Sequence, residues 1–281
     1  MVEEKKRIRL IVNGDDFGSS HAANHGILRA HKEGILTSAS LMVNGNAMDH
    51  AVRNARENPR LGVGIHITLV RGKSTLKPSE TSGLVNHRYE FSRSPVFAGL
   101  KYFFNRKIRH FVRQEIDAQI REFRTCGLHL DHLNGHCNMH LHPTIFGMIK
   151  RHAHDWGVRS VRVTDDPLLM NLRIAGGRYF YRLTHALVFA RLSSRVRGTL
   201  DRRGIVQTDK VFGLLQDGRI TEKYLLRLLE ELRPGTYELY CHPNTEERAY
   251  EIEALCSSRV KQLIADRGIE LVRYQDLVRR P

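Results

Sequence analysis

The chain lacks any apolar run approaching the roughly 18 residues that a membrane-spanning helix requires, so it is not expected to cross a bilayer. It has four cysteines, Cys126, Cys137, Cys241 and Cys256, and no C-x-x-C spacing. That excludes a disulfide framework or a thiolate zinc knuckle as the organising device and predicts four reduced thiols. No G-x-G-x-x-G or Walker loop is present to cradle a nucleotide. The opening Met-Val-Glu-Glu-Lys-Lys-Arg lacks the apolar stretch and small-residue cleavage site of a signal peptide, which predicts a cytoplasmic protein. There is no repeat of fixed period and no long low-complexity tract. Carboxylates are outnumbered: 30 Asp and Glu stand against 45 Lys and Arg, a formal charge of +15. Such an excess attracts nucleic acid or anionic lipid through salt-sensitive forces without choosing between them.

What is present points to a catalyst. With 281 residues and 41% hydrophobic content the chain can bury one large core, and a single domain over residues 1–281 is expected. Strand-like runs occur at 8–13, 37–43, 61–69, 129–133, 158–163, 237–241 and 270–274. Helical patterns at 22–33, 48–56, 113–125, 143–155, 222–232 and 258–266 alternate with them. This alternation predicts an α/β fold on a parallel sheet of about seven strands, as an imperfect barrel, although an open doubly wound sheet alternates in the same way. The polar stretch 72–94 and the irregular stretch 164–220 read as insertions over one face, the first extending to about 112.

Chemistry-bearing residues collect at predicted strand ends, where α/β folds build their sites. Asp15-Asp16-Phe17-Gly18 follows the first strand; alone, it reads equally well as a turn whose carboxylates cap the next helix. His66 ends the third strand, and Asn134-Gly-His136-Cys-Asn138-Met-His140-Leu-His142-Pro143 follows the fourth. One carboxylate and two imidazoles can hold a divalent ion with positions left open for water and substrate. His136, Asn138, His140 and His142 would line one surface if extended, but not all can bind one ion. His242, before Pro243 at another strand end, is either a buried hydrogen-bonded imidazole or a catalytic acid. His21, His25, His31, His50 and His110 read as ordinary surface histidines.

In order, Gly14-Asp15-Asp16-Phe17-Gly18, Leu36-Thr37-Ser38-Ala39-Ser40, Gly64-Ile65-His66, His136-x3-His140-Leu141-His142-Pro143 and Cys241-His242-Pro243 resemble the YdjC-like carbohydrate deacetylases across nearly the whole chain. Leu130-Asp131-His132, Asp209–Gly213 and Pro234–Pro243 are similar to the hopanoid-biosynthesis-associated, HpnK-like branch. The family resemblance implies a distorted (β/α) TIM-like barrel with a divalent metal ion, magnesium or zinc, held by Asp16, His66 and His136. It also implies Asp15 as general base and His242 as general acid. The sequence departs from the family pattern at Asn138, where many relatives carry histidine, and at Asn134, where many carry aspartate. Neither is an implied ligand, so both departures bear on substrate placement rather than metal binding.

The implied reaction removes an N-acetyl group from an amino sugar; in the hopanoid branch the substrate is an N-acetylglucosaminyl glycolipid. That would require work at the inner membrane surface. Residues 101–111 and 178–197 interleave cations with aromatic and apolar side chains, a composition suited either to an anionic headgroup region or to a core-facing helix with a solvated basic side. Rival readings are a deacetylase of soluble oligosaccharides, a metal-dependent phosphoesterase on the same Asp and His set, and a basic nucleic-acid binder. No recognisable zinc finger, RNA-recognition motif or homeodomain supports specific nucleic-acid binding. Monomer and homodimer are both left open.

Overall fold

The chain was analysed as a computed structural model that describes residues 7–278. The reading of residues 1–6 as leaderless lies outside the described residues. The elements run β1 (Ile8–Phe17), α1 (His21–Glu33), β2 (Ser38–Leu41), α2 (Met48–Glu57), β3 (Gly62–Ile67), α3 (Pro95–Phe104), α4 (Arg106–Thr125), β4 (Leu130–Gly135) and α5 (Pro143–His152). They continue with α6 (Leu168–Ile174), α7 (Tyr179–Asp201), β5 (Lys210–Phe212), α8 (Glu222–Glu231), β6 (Gly235–Cys241), α9 (Ala249–Cys256), α10 (Ser258–Asp266), β7 (Glu270–Leu271) and α11 (Tyr274–Leu277).

The sheet order is β4-β3-β2-β1-β6-β5, with every pairing parallel. β1 is central because Leu10, Ile11 and Val12 are all buried, the mark of a parallel strand covered on both faces. β6 occupies one of its edges from Ile8 to Gly14. On the other edge β7 pairs with Arg9 and Leu10, and β2 with Asn13, Gly14 and Phe17. Beyond β4 the sheet curls on through single-residue parallel bridges, Leu133 to Val161 and Ser160 to Val206, and Val211 N donates to Asp165 O at 3.2 Å beside β5. The result is a TIM-like α/β barrel with an irregular side.

Helix starts are chemically marked. Ser20 accepts from Ala23 N at α1, Thr221 from Tyr224 N at α8, and Pro143 opens α5, where a missing N–H costs nothing. A continuous core runs from Ile8 in β1 to Ile269 before β7, and a smaller cluster of Ala186, Val211, Leu214, Leu215 and Tyr240 lies under α7. Each fully buried Leu, Ile or Phe contributes about 1.5–3 kcal/mol of transfer free energy. Among the described residues, no helix is long and apolar enough to cross a membrane.

Several sequence expectations change. The run 158–163 is no laddered strand, and β5, three residues long, is the seventh strand instead. The run predicted as a strand over 270–274 ends at Leu271, and Tyr274 opens α11. The stretch 164–220 is not irregular: it holds α6 and α7, the latter 23 residues long. Its helical period is hidden because apolar residues fall all round α7, Ala186, Val196 and Leu200 inward, Phe180, Leu183 and Leu187 outward. The stretch 72–94 is largely turns, tied to α4 by the buried Glu115, which accepts from Thr75 N and Leu76 N at 2.8 and 3.0 Å.

Candidate active site

The two carboxylates lie within the end of β1, not in a loop after it, and do not cap α1, which Ser20 does. The β1–β2 register shifts between Gly14 and Phe17, and Asp16 takes a left-handed backbone, φ 64°. A non-glycine residue there costs of order 1–3 kcal/mol and persists where the surroundings demand it. The kink separates the two neighbours: Asp15 turns into the barrel interior and Asp16 towards two histidines.

Asp16 Oδ1 lies 2.9 Å from His136 Nδ1 and 3.3 Å from His66 Nε2. One ligand atom from each of Asp16, His66 and His136 lies within 4.8 Å of the others. His66 Nε2 is buried and makes no hydrogen bond, as expected of a nitrogen whose partner is a cation. The donor set therefore fits a divalent ion by geometry and by that orphaned atom. Burial alone would raise the Asp16 carboxyl and lower His136, but their mutual attraction wins: Asp16 is held well below the usual carboxylate range and His136 well above that of imidazole. The turn after His136 is also left-handed, at Cys137 (φ 52°) and Asn138 (φ 55°). Gly64 in β3 is required because a Cβ there would stand 2.5 Å from the His132 ring.

Asp15 is buried against Arg162, whose two terminal nitrogens donate to Oδ2 at 2.7 Å and Oδ1 at 2.8 Å. Asn13 Nδ2 adds a third contact at 2.8 Å. Burial raises the Asp15 carboxyl, yet Arg162, with His66 and His242, outweighs it and keeps the group ionised far below its ordinary range. Arg162 also pairs with Glu238 at 2.7 Å, Tyr274 Oη donates to Glu238 at 2.6 Å, and the guanidinium lies 4.4 Å from the Tyr240 ring centre. None of Arg162, Glu238, Tyr240 and Tyr274 was singled out from sequence. The available signal was a charged residue inside an otherwise apolar strand-like run, Val161-Arg162-Val163 and Leu239 beside Glu238.

The remaining residues of the histidine run separate. His140 is buried and neutral, pushed down to about 3 by burial and the Arg162 charge, and its Nε2 lies 3.0 Å from the Arg162 carbonyl. His142 packs against Phe103 at 6.3 Å between ring centres. Asn138 bridges Tyr240 Oη (3.3 Å) and Thr164 Oγ1 (2.7 Å). Asn134 stands beside the cluster: its amide is 2.6 Å from His66 Nδ1 and 2.7 Å from Ser40 Oγ, so it fixes the orientation of the His66 ring. His242 is partly exposed at the end of β6; its ring Nδ1 is 3.2 Å from Arg248 and 3.6 Å from Asp217, and its charge lowers both Asp15 and Asp16.

Comparisons with known proteins bear on the family and the fold. The chain is 28% identical over 285 residues to a carbohydrate deacetylase of Brevibacillus brevis, covering 96% of this chain and 100% of that one. It is 27% identical over 290 residues to a chitooligosaccharide deacetylase of Proteus mirabilis, covering 96% and 98%. The crystal structure of a putative cellobiose-phosphate cleavage protein from Enterococcus faecalis superposes with TM-score 0.74 at 26% identity, covering 97% of this chain and 100% of that one. A sequence model of the YdjC-like proteins matches residues 9–266, and the chain belongs to that family.

Proposed function

We propose that the protein is a metal-dependent hydrolase that removes the N-acetyl group from an amino sugar. The carrying observation is the convergence of Asp16, His66 and His136 beside a second carboxylate, Asp15, which Arg162 holds in its ionised form at rest. The deacetylase names of the relatives at full length support the reaction class. Asp16, His66 and His136 are the metal ligands in this reading, and two imidazoles with one carboxylate suit zinc better than magnesium. A bound ion supplies Lewis-acid polarisation of the acetamide carbonyl.

Asp15 accepts the proton of the attacking water. Its pairing with Arg162 aims the carboxylate and keeps it free of a proton in the resting state. The amine is a poor leaving group unless protonated, and His242 delivers that proton from the end of β6, positioned by Arg248 and Asp217. Acetate and a free amino sugar result.

For the substrate, the motifs shared with the hopanoid-associated branch favour an N-acetylglucosaminyl glycolipid, handled at the cytoplasmic face of a membrane. A second reading, a soluble N-acetylated oligosaccharide, is favoured by the Proteus mirabilis relative. Acetate release from an N-acetylglucosaminyl lipid and from an N-acetylated oligosaccharide, measured with zinc-loaded protein beside Asp15→Asn, decides. Release lowered about 10²–10⁴-fold by Asp15→Asn is expected. No release from either substrate with metal bound, but phosphate release from a sugar phosphate, would transfer the site to phosphoesters.

A further inference from the structure

Two helices turn apolar faces to solvent. α3 exposes Val96, Phe97, Leu100, Phe103 and Phe104, one stripe at helical spacing, and Phe104 is 74% exposed. α7 exposes Tyr179, Phe180, Leu183, Leu187 and Val188, and Phe180 is 82% exposed. A surface helix normally turns such a stripe inward. In α7 the inward positions are already filled by Arg182, Ala186, Ser193, Val196 and Leu200, so the outer stripe is surplus to the core. Both helices pack on α5 and on the turn 136–141, so the two helices flank the segment that carries His136.

Within the two helices and the chain that flanks them the charge has one sign, although Asp217, paired with Arg248, lies beside the start of α7. No Asp or Glu occurs from residue 91 to 114 or from 167 to 200. Lys101, Arg106 and Lys107 stand in or after the first stripe, and Arg178, Arg191 and Arg195 bracket the second. Exposed apolar surface of this kind marks an interaction site, and an excess of cations along its rim selects an anionic partner. A second copy of the chain is disfavoured, because this face would set cations against cations.

We propose that α3 and α7 form a docking face for an anionic lipid bilayer. The aromatic and leucine side chains insert at headgroup level, and the flanking cations pair with lipid phosphates. The purpose of this face rests on the glycolipid reading, since it would present the site to a sugar whose anchor stays in the bilayer; its physical basis does not.

The test is co-sedimentation of the full chain with vesicles of phosphatidylcholine alone or mixed with phosphatidylglycerol, at low and high salt, beside the triple variant Phe104→Ser, Phe180→Ser, Leu187→Ser. These side chains are exposed and outside the proposed machinery, so folding and acetate release from a soluble oligosaccharide should be unchanged. Binding to the anionic vesicles, weakened by salt and reduced about tenfold or more in the variant, is expected. No sedimentation of the unaltered protein with anionic vesicles, or equal binding by the variant, overturns the docking face. Dimerisation that the variant abolishes, without vesicle binding, assigns the stripes to a second copy and also overturns it. Protein that binds vesicles but never releases acetate removes the deacetylase reading alone; active protein that ignores vesicles removes the docking face alone.

Discussion

Arg162 and Asp15 meet through two parallel N–H···O contacts of 2.7 and 2.8 Å, with neither side chain open to solvent. Because Arg162 also neutralises Glu238, replacing it leaves two buried carboxylates with no cation. Arg162→Met should therefore cost about 3–5 kcal/mol of folding stability, measured by urea unfolding. A loss under about 1 kcal/mol would mean that water already shares this network.

The two neighbouring carboxylates should fail in different ways. His136→Ala is expected to release the ion and with it the activity, whereas Asp15→Asn keeps the ion and lowers acetate release about 10²–10⁴-fold. Metal content by elemental analysis, taken beside turnover, separates them. Equal metal loss in both would contradict the division of labour across the β1 kink.

Asn134 supports His66 from behind, and such outer partners commonly tune metal affinity by roughly 10- to 100-fold. Asn134→Ala should weaken zinc binding by that order in isothermal titration while Asp15 stays in place. An unchanged affinity would return Asn134 to the role the family pattern first suggested, that of a substrate contact.

If His242 protonates the leaving amine, its loss should matter only where the leaving group needs a proton. His242→Asn is expected to abolish amide cleavage yet retain most hydrolysis of an activated phenyl acetate, compared by kcat. Equal losses on both would assign His242 a binding or structural part.

Asp166 offers a pH test away from the cluster of Asp16, His66 and His136. Burial, opposed by bonds from Leu215 N and Asn171, pushes its carboxyl up to about 7. Between its ordinary value of 3.8 and about 7 the folded chain holds a proton that the unfolded chain has lost. This group's contribution is thus full below that window and disappears as pH rises through it. Asp166→Asn should flatten the decline of stability over that window, read from melting temperature against pH. An unaltered slope would show that Asp166 is ionised in the folded state.

Much of this was legible because the strand ends carry the reactive residues. Asp15, Asp16, His66 and His136 could be picked out by strand position, and the structure brings the last three to one point. Helices with one apolar face, such as α8 and α10, could be read almost to their ends. α7 could not, since its apolar residues point in all directions, and β5 is too short to show a period. Arg162 escaped because its importance lies in long-range pairing with Asp15, 147 positions away, which no local pattern records.

The guanidinium that faces Asp15 rides on a segment held by single-residue bridges, Leu133 to Val161 and Ser160 to Val206, where β1 and β6 share a continuous ladder. His140 adds one further contact there, through the Arg162 carbonyl. A bridge-held seam of the barrel and the counter-ion of the buried Asp15 are therefore the same piece of chain. Because Arg162 reaches Asp15 from this segment, a displacement of the segment would loosen their pairing and raise the proton affinity of Asp15, which couples the charge of one carboxylate to the closure of the barrel.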